Sequence, residues 1–188
     1  MSADIHPNGY WIMRNKRYTF DKGLARAISN FAHRNGVFSI IDVGCGNGAY
    51  CMYFDSQDFY CDGFDGNPHT PEITDNKCAV VDFSEPVDMK PYDLVVSLEV
   101  AEHIPAERES VFLDNITSIS HEFIVLSWAI EGQGGVGHVN CRNNDYVIDR
   151  MRDYGFVFLP KETKLLRQEA NVSWFRKTVM AFKFKIDD

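Results

Sequence analysis

The chain has 188 residues, enough for one domain with a sizeable core but too few for two ordinary domains. Its 27 acidic residues outnumber its 19 basic residues, and the formal net charge of -8 argues against a general nucleic-acid binder. No stretch approaches the roughly 18 consecutive apolar residues of a membrane span, and the N-terminus carries no signal-peptide core. We therefore expect a single cytoplasmic domain over residues 1–188.

Hydrophobic periodicity predicts strands that alternate with helices along the chain. Apolar residues at helical spacing predict a first helix over Phe20–Arg34. Short apolar runs predict the strands Val37–Val43, Phe59–Asp65, Lys77–Phe83, Tyr92–Leu98, Phe123–Ala129, Phe156–Leu159 and Val179–Lys185. Further helices are predicted over Ala49–Phe54, Ala106–Ser120 and Asn143–Tyr154. This order indicates an α/β fold with an open, mainly parallel sheet, in which ligands bind beyond the carboxyl ends of the strands.

A glycine-rich turn follows the first predicted strand, where Asp42–Gly48 reads DVGCGNG. Glycines let the backbone approach a ligand closely, and the helix that follows presents free N–H groups. Gly44–Ala49 also fits the G-x-G-x-x-G/A pattern of dinucleotide-binding enzymes. The turn alone therefore leaves a nicotinamide-dependent oxidoreductase open.

Acidic residues near three strand ends favour a different ligand. Asp42 is badly placed beside a pyrophosphate, but it can balance a cationic ligand such as a sulfonium that carries an α-amino group. Asp65 can accept hydrogen bonds from both hydroxyls of a ribose, as in either kind of enzyme. Asp82 can accept a hydrogen bond from the amino group of adenine, with Phe83 beside the ring. In this order, the acids favour an adenosyl sulfonium over a dinucleotide.

Five motifs of the chain resemble the class I S-adenosylmethionine-dependent methyltransferases: Ile41–Gly48, Gly63–Pro68, Val81–Pro86, Tyr92–Pro105 and Ile124–Ala129. The resemblance implies a Rossmann-like three-layer sandwich, whose seven-stranded and mainly parallel sheet has an antiparallel last strand. It also implies S-adenosyl-L-methionine as the cofactor. The residues implied around that cofactor are Asp42, Gly44, Cys45, Gly46, Gly48, Asp65, Gly66, Asp82, Phe83, Ser97, Leu98 and Glu99.

Three other stretches are similar to a subgroup of small methyltransferases, some of which O-methylate sugars in glycans: Gly9–Trp11, Gly132–Arg142 and Leu166–Phe182. The similarity implies a sugar or another small hydroxylated molecule as the methyl acceptor. The candidate acceptor-binding residues are Tyr10, Trp11, Gln133, His138, Asn140, Arg167 and Trp174. An N- or C-methyltransferase of a small metabolite stays open, as does a non-catalytic cofactor-binding module of a larger protein.

The choice of acceptor decides whether the enzyme needs a base. The pKa of a hydroxyl lies far above 7, whereas a neutral amine has no proton to lose before it attacks. His138 is the predicted base because histidine titrates near neutral pH and this residue lies in a glycine-rich loop on the expected ligand side. His103 and Glu99, just after the fourth predicted strand, are the other catalytic candidates.

Some acidic residues and one histidine are also candidate metal ligands. Asp42, Glu99, Glu102 and His138 are of residue types that bind Mg²⁺ or Mn²⁺. However, the acids are not paired at the two strand ends where metal-dependent sugar or catechol methyltransferases would place them. The sequence therefore predicts no metal site.

Overall fold

The computed structural model describes residues 4–12, 14 and 18–185. Its main sheet contains the strands β3 (Ser39–Val43), β4 (Tyr60–Asp65), β5 (Ala79–Val80), β6 (Tyr92–Ser97), β7 (Ser120–Leu126), β8 (Phe156–Phe158) and β9 (Met180–Phe184). Their spatial order is β5-β4-β3-β6-β7-β9-β8. Neighbouring strands from β5 to β7 are parallel, whereas β9 runs antiparallel to both β7 and β8. The predicted seven-stranded sheet with an antiparallel last strand is confirmed.

Helices and a short hairpin surround this sheet. The helices are α1 (Lys22–Arg34), α2 (Ala49–Asp55), α3 (Thr70–Ile73), α4 (Glu109–Ser118), α5 (Asn144–Asp153), α6 (Pro160–Glu169) and α7 (Phe175–Thr178). Two strands of two residues each, β1 (Asp4–Ile5) and β2 (Trp11–Ile12), pair as an antiparallel hairpin. No helix among the described residues is both long enough and apolar enough to cross a membrane.

Some predicted elements differ from the observed ones. The strand predicted over Lys77–Phe83 shrinks to Ala79–Val80, because this edge strand pairs only with the end of β4 before the chain turns away. The helix predicted over Ala106–Ser120 begins instead with a 3₁₀ turn, and its last predicted residue already belongs to β7. The sequence analysis assigned no element to the β1–β2 hairpin, α3, α6 or α7.

Each central strand contributes to two separate hydrophobic cores. Ile40 of β3 is fully buried on the side covered by α1, α2, α6 and α7, while its neighbour Ile41 is fully buried on the side covered by α4 and α5. Successive side chains of a strand point to opposite faces, so an unbroken apolar run requires cover on both. The arrangement confirms the predicted three layers.

Asp21 fixes the start of α1 and connects it to the C-terminal part of the chain. One carboxylate oxygen accepts a hydrogen bond from the backbone N–H of Leu24 at 3.0 Å, as expected of a helix N-cap. The same carboxylate accepts hydrogen bonds from the backbone N–H of Val172 at 2.7 Å and the side chain of Asn171 at 3.1 Å. One buried side chain therefore holds two segments together.

We predict that Asp21→Ala lowers the free energy of unfolding by about 2 kcal/mol, since it removes a helix cap and leaves the backbone N–H of Val172 without its acceptor. Urea denaturation followed by circular dichroism measures the change. The control is Asp149→Ala, which removes an exposed ion pair with Arg152 and should cost at most about 1 kcal/mol. Equal effects of the two substitutions would contradict the assigned role of Asp21.

Candidate active site

A cavity of about 310 Å³ opens at the carboxyl ends of β3, β4 and β6. Most of the predicted cofactor residues line it: Asp42, Gly44, Cys45, Gly46, Asp65, Gly66, Asp82, Phe83, Leu98 and Glu99. The cavity is also lined by Tyr10, Trp11, His103, His138 and Trp174, which the sequence analysis proposed for the acceptor or for catalysis. The structure thus brings predicted cofactor residues and predicted acceptor or catalytic residues into one cavity.

The other predicted site residues do not line this cavity: Gly48, Ser97, Gln133, Asn140 and Arg167. Asn140 is buried, and its side-chain amide donates to the carboxylate of Glu109 at 3.0 Å. Arg167 lies on α6, where its Nε donates to the backbone carbonyl of Val179 at 2.8 Å. The structure therefore places these two side chains in contacts within the protein instead of the predicted acceptor contacts.

The glycine-rich turn requires glycine for two independent reasons. Gly44 and Gly46 have φ angles of 77° and 55°, in the left-handed region that side chains disfavour. A Cβ atom on Gly44 would lie 2.2 Å from a methyl carbon of Val100, and one on Gly46 would lie 2.5 Å from the ring of Tyr18. The turn is therefore open to a ligand only because these positions carry no side chain.

Asp42 contributes a buried carboxyl group with one unsatisfied oxygen to the lining of the cavity. Its side chain is buried, and one carboxylate oxygen has no hydrogen-bond partner among the described residues. Burial raises the pKa of Asp42 to about 8, because a carboxylate loses solvation in the protein interior. A cationic ligand in the cavity would satisfy this oxygen, as the sequence analysis predicted.

Asp65 supports the glycine-rich turn and still has acceptor capacity for a ligand. One of its oxygens accepts the backbone N–H of Gly46 at 2.9 Å, and the other accepts that of Asn67 at 2.8 Å. A carboxylate has about four lone-pair positions, so ribose hydroxyls can bind as well. Burial raises the pKa of Asp65 above its ordinary value.

Asp82 already has partners within the protein at the predicted adenine position. One oxygen accepts the backbone N–H of Ser84 at 2.9 Å and its hydroxyl at 2.7 Å. The other accepts the side-chain amide of Asn8 at 2.6 Å, which connects the loop of the β1–β2 hairpin to the end of the cavity. Phe83 is buried beside it and lines the cavity, so the predicted adenine contact remains geometrically available.

The β1–β2 hairpin covers the cavity. A Cβ atom on Gly66 would lie 2.4 Å from the ring of Tyr10, which shows how closely that ring packs on the turn after β4. Trp11 meets the imidazole of His103 edge to face, with 5.8 Å between the ring centroids. Tyr10 and Trp11 therefore lie where the hairpin meets the cavity, and both line it.

A buried polar cluster occupies one side of the cavity and consists of Glu102, His103 and His138. Glu102 is fully buried, and neither of its carboxylate oxygens has a partner at full hydrogen-bond geometry among the described residues. Nε2 of His138 lies 3.9 Å from Oε1 of Glu102, and the two imidazole rings meet edge to face at 5.0 Å. Burial raises the pKa of Glu102 to about 8 and lowers that of His103 to about 4.

Glu99 stands beside this cluster with an unusual backbone conformation. Its φ angle of 58° places a non-glycine residue in the left-handed region directly after β6. Its backbone N–H donates to the hydroxyl of Ser127 at 2.7 Å, and that hydroxyl donates to the Glu99 carboxylate at 2.8 Å. Burial raises the pKa of Glu99 to about 7.

The carboxylate nearest to His138 among the described residues is that of Glu102. The side chains of Glu131, Asn140 and Glu99 hydrogen-bond elsewhere. Glu102 takes this place because the loop of residues 132–142 folds back over the end of β6. The sequence places Glu102 next to His103, but no local pattern indicates its contact with His138.

The cavity is also lined by residues that were not predicted from the sequence, namely Asn8, Tyr18, Tyr50, Ile104, Val136 and Phe175. Asn8 belongs to the hairpin and Phe175 to α7, and these elements are too short for a clear periodicity. Only the proximity of Ile104 to Glu99 along the chain could have indicated that it lines the site.

Fold and cavity together define a class I S-adenosylmethionine-dependent methyltransferase. The cavity has the glycine turn, the unsatisfied Asp42 for the cationic methionine end, and acids positioned for ribose and adenine. The model of a family described as a methyltransferase domain matches residues 13–121, more than half of the chain, and the chain belongs to that family. This result excludes the nicotinamide-dependent oxidoreductase. No curated protein matches the sequence.

Solved structures show the same fold at low sequence identity. An S-adenosylmethionine-dependent methyltransferase from Clostridium acetobutylicum has a TM-score of 0.69 at 9% identity, covering 89% of this chain and 93% of its own. An amino pentose methyltransferase from Micromonospora echinaspora has a TM-score of 0.68 at 12% identity, with 86% and 90% covered. A magnesium protoporphyrin IX methyltransferase from Synechocystis has a TM-score of 0.66 at 14% identity, with 86% of this chain and 82% of its own covered.

We predict that the affinity for S-adenosyl-L-homocysteine increases with pH up to about pH 8. Below that pH the Asp42 carboxyl is largely protonated, and only its ionised form balances the ammonium group of the ligand. Each pH unit below this value should weaken binding by up to about tenfold. Isothermal titration calorimetry from about pH 6 to pH 8 measures the trend.

The variant Asp42→Asn shows whether the pH dependence of the affinity comes from Asp42 or from Glu99, which lines the same cavity. The variant should bind about 10- to 100-fold more weakly at pH 8, because a charge-assisted hydrogen bond is lost. It should also lose most of the pH dependence, while the exposed control Asp149→Asn should keep it. A wild-type affinity that stays constant over this range would contradict the role of Asp42.

Proposed function

We propose that this enzyme transfers the methyl group to a hydroxyl of a small polyhydroxylated acceptor, such as a sugar unit. We further propose that the hydroxyl loses its proton at the Glu102–His138 pair. The observation that carries the proposal is the location of this pair: His138 lines the same cavity as the predicted cofactor residues, and its Nε2 faces a buried carboxylate. A neutral amine acceptor would need no such pair.

The chemistry of methyl transfer explains why a proton acceptor matters. The attack on a sulfonium methyl group is an in-line displacement, so much of the catalysis consists of positioning the acceptor, methyl and sulfur atoms. A hydroxyl becomes a good nucleophile only as its proton leaves. General base assistance typically accelerates such a step by about 10²- to 10⁴-fold.

The side chains around the cavity support an acceptor with several hydroxyl groups. The indole N–H of Trp174 is buried, has no hydrogen-bond partner among the described residues, and belongs to a residue that lines the cavity. It can donate to an acceptor oxygen. The rings of Tyr10 and Trp11 add flat apolar surfaces, on which the apolar face of a sugar can pack.

The similar structures support this proposal only in part, because their acceptors are diverse. One of them is an amino pentose methyltransferase, so the fold can serve a sugar acceptor. Others are a protoporphyrin methyltransferase and a didemethyltoxoflavin N1-methyltransferase. Since the fold does not select the acceptor, the proposal rests on the cavity itself.

We predict that His138→Ala lowers kcat for a hydroxyl acceptor by about 10²- to 10⁴-fold. The Kd of S-adenosyl-L-homocysteine should stay within about twofold, since none of the predicted cofactor contacts involves His138. Transfer of radiolabelled methyl groups to panels of sugars, other polyols and primary amines measures the first quantity, and calorimetry measures the second.

The matched control is His69→Ala, which removes a histidine that also lies near a glutamate, at 3.8 Å from Glu72, but outside the cavity. This variant should keep full activity. Unchanged kcat in His138→Ala, or methylation confined to amines in the wild-type enzyme, would overturn the proposed acceptor and the role of the pair.

A further inference from the structure

We propose that Glu102, His103 and His138 bind a divalent transition-metal ion on one side of the active-site cavity. These residues can each offer one ligand atom, and the three atoms lie within 4.8 Å of one another. The sequence predicts no metal site, because its acids are not paired at two strand ends. In the structure, the ligands come instead from one strand end and from a loop that folds back over it.

The Glu102 carboxylate is the strongest indication of a missing cation. It is fully buried, and neither oxygen has a partner at full hydrogen-bond geometry among the described residues, the backbone N–H groups of Glu102 and Ala129 offering only weaker contacts. Buried charges are normally paired or coordinate metals. The only ion-pair contact within 4.0 Å of it in the described part of the chain is His138.

The two histidines are held in the manner of metal ligands. Nδ1 of His103 lies 3.1 Å from the backbone carbonyl of Gly137, and Nδ1 of His138 lies 3.3 Å from that of Gln133. A metal-binding histidine usually donates its other ring N–H to a carbonyl or carboxylate, which fixes the ring and its tautomer. Here both Nδ1 atoms have such a carbonyl, which leaves both Nε2 atoms free to bind a metal.

The distance between Nε2 of His138 and Oε1 of Glu102 fits a bridging ion better than a direct hydrogen bond. At 3.9 Å it exceeds the usual donor–acceptor range of about 2.7–3.2 Å. Metal–nitrogen and metal–oxygen bonds of about 2.0–2.2 Å each can span it with little movement of either side chain.

The set of ligands indicates which metals fit and where they would act. Two imidazoles and one carboxylate suit Zn²⁺, Mn²⁺, Fe²⁺ or Co²⁺ better than Ca²⁺, which prefers oxygen ligands. Three protein ligands leave coordination positions open, and both histidines line the cavity. With an ion bound, Nε2 of His138 would be a ligand and not the base; if the proposed hydroxyl methylation is correct, an acceptor oxygen would take an open coordination position, where the cation would lower its pKa so that its proton passes to solvent. Binding of the cation itself does not depend on that proposal.

Titration of the chelator-treated full chain with Co²⁺ tests the site. We expect one Co²⁺ per chain, with visible absorption bands typical of nitrogen and oxygen ligands, and displacement by Zn²⁺. Glu102→Gln and His138→Ala should each weaken binding by about 100-fold or more, because even residues that only support ligands contribute about 10- to 100-fold. His69→Ala, whose histidine also lies near a glutamate, should leave binding unchanged.

The same titration identifies the results that would overturn the proposal. A strong near-ultraviolet band from thiolate coordination, lost in Cys78→Ser but kept in Glu102→Gln, would assign the ion to the buried cysteines instead. No binding at millimolar Co²⁺ would mean that Glu102 is simply a buried neutral carboxyl. Circular dichroism checks the folding of each variant, and His138→Ala tests the site if Glu102→Gln does not fold.

Activity measurements distinguish the failure of this proposal from the failure of the proposed function. Hydroxyl methylation that continues unchanged in excess chelator would refute the metal site as a part of catalysis and leave the acceptor class intact. Co²⁺ binding that depends on Glu102, in an enzyme that methylates only amines, would confirm the metal site and refute the hydroxyl acceptor.

Discussion

The active site depends on three buried carboxyl groups whose negative charge, once they ionise, the protein itself does not balance. Asp42, Glu99 and Glu102 lie at or just beyond the carboxyl ends of β3 and β6, and within the described residues none of them forms an ion pair with a lysine or arginine. Burial raises the pKa of Asp42 and Glu102 to about 8 and that of Glu99 to about 7. Ligands must therefore supply the positive charge: the cationic methionine end of the cofactor and, as we propose, a divalent metal ion.

The raised pKa values of these buried carboxyls make the free energy of unfolding depend on pH and on bound ligands. A carboxyl whose pKa is higher in the folded than in the unfolded chain contributes stability that is fully present below its ordinary pKa of about 4. That contribution is lost as the pH rises through the folded-state value, near 7 for Glu99 and near 8 for Asp42. A cationic ligand that binds only the folded chain counteracts the loss by mass action.

The sequence predicted the parts of the site that follow from local rules. Unbroken apolar runs such as the one containing Ile40 and Ile41 form strands with both faces buried. The acids at the ends of β3 and β4 reach one cavity because parallel strands end at the same sheet edge. The positive φ angle of Gly44 follows equally from its place in a strand-to-helix turn.

Other parts depend on contacts between residues far apart in the chain. The β1–β2 hairpin has only two residues in each strand, and a hydrogen bond from Asn8 to Asp82 attaches its loop to the cavity. Helix α6 buries only Thr163 and Leu166, too few apolar positions for a clear helical period. The contact between Glu102 and His138 likewise spans 36 positions and exists only after the loop has folded back.

The dipeptide Glu102–His103 contacts both segments that lie over the cavity, namely the β1–β2 hairpin and the loop of residues 132–142. The carbonyl oxygen of Glu102 accepts the backbone N–H groups of Val139 and Asn140, both at 2.9 Å, which fixes the 132–142 loop above the strand end. The hairpin closes onto the next residue, since a Cβ atom on Gly9 would lie 2.1 Å from the carbonyl oxygen of His103. The side chains of the same dipeptide face His138, so Glu102 and His103 contact both segments through their backbone and the polar cluster through their side chains.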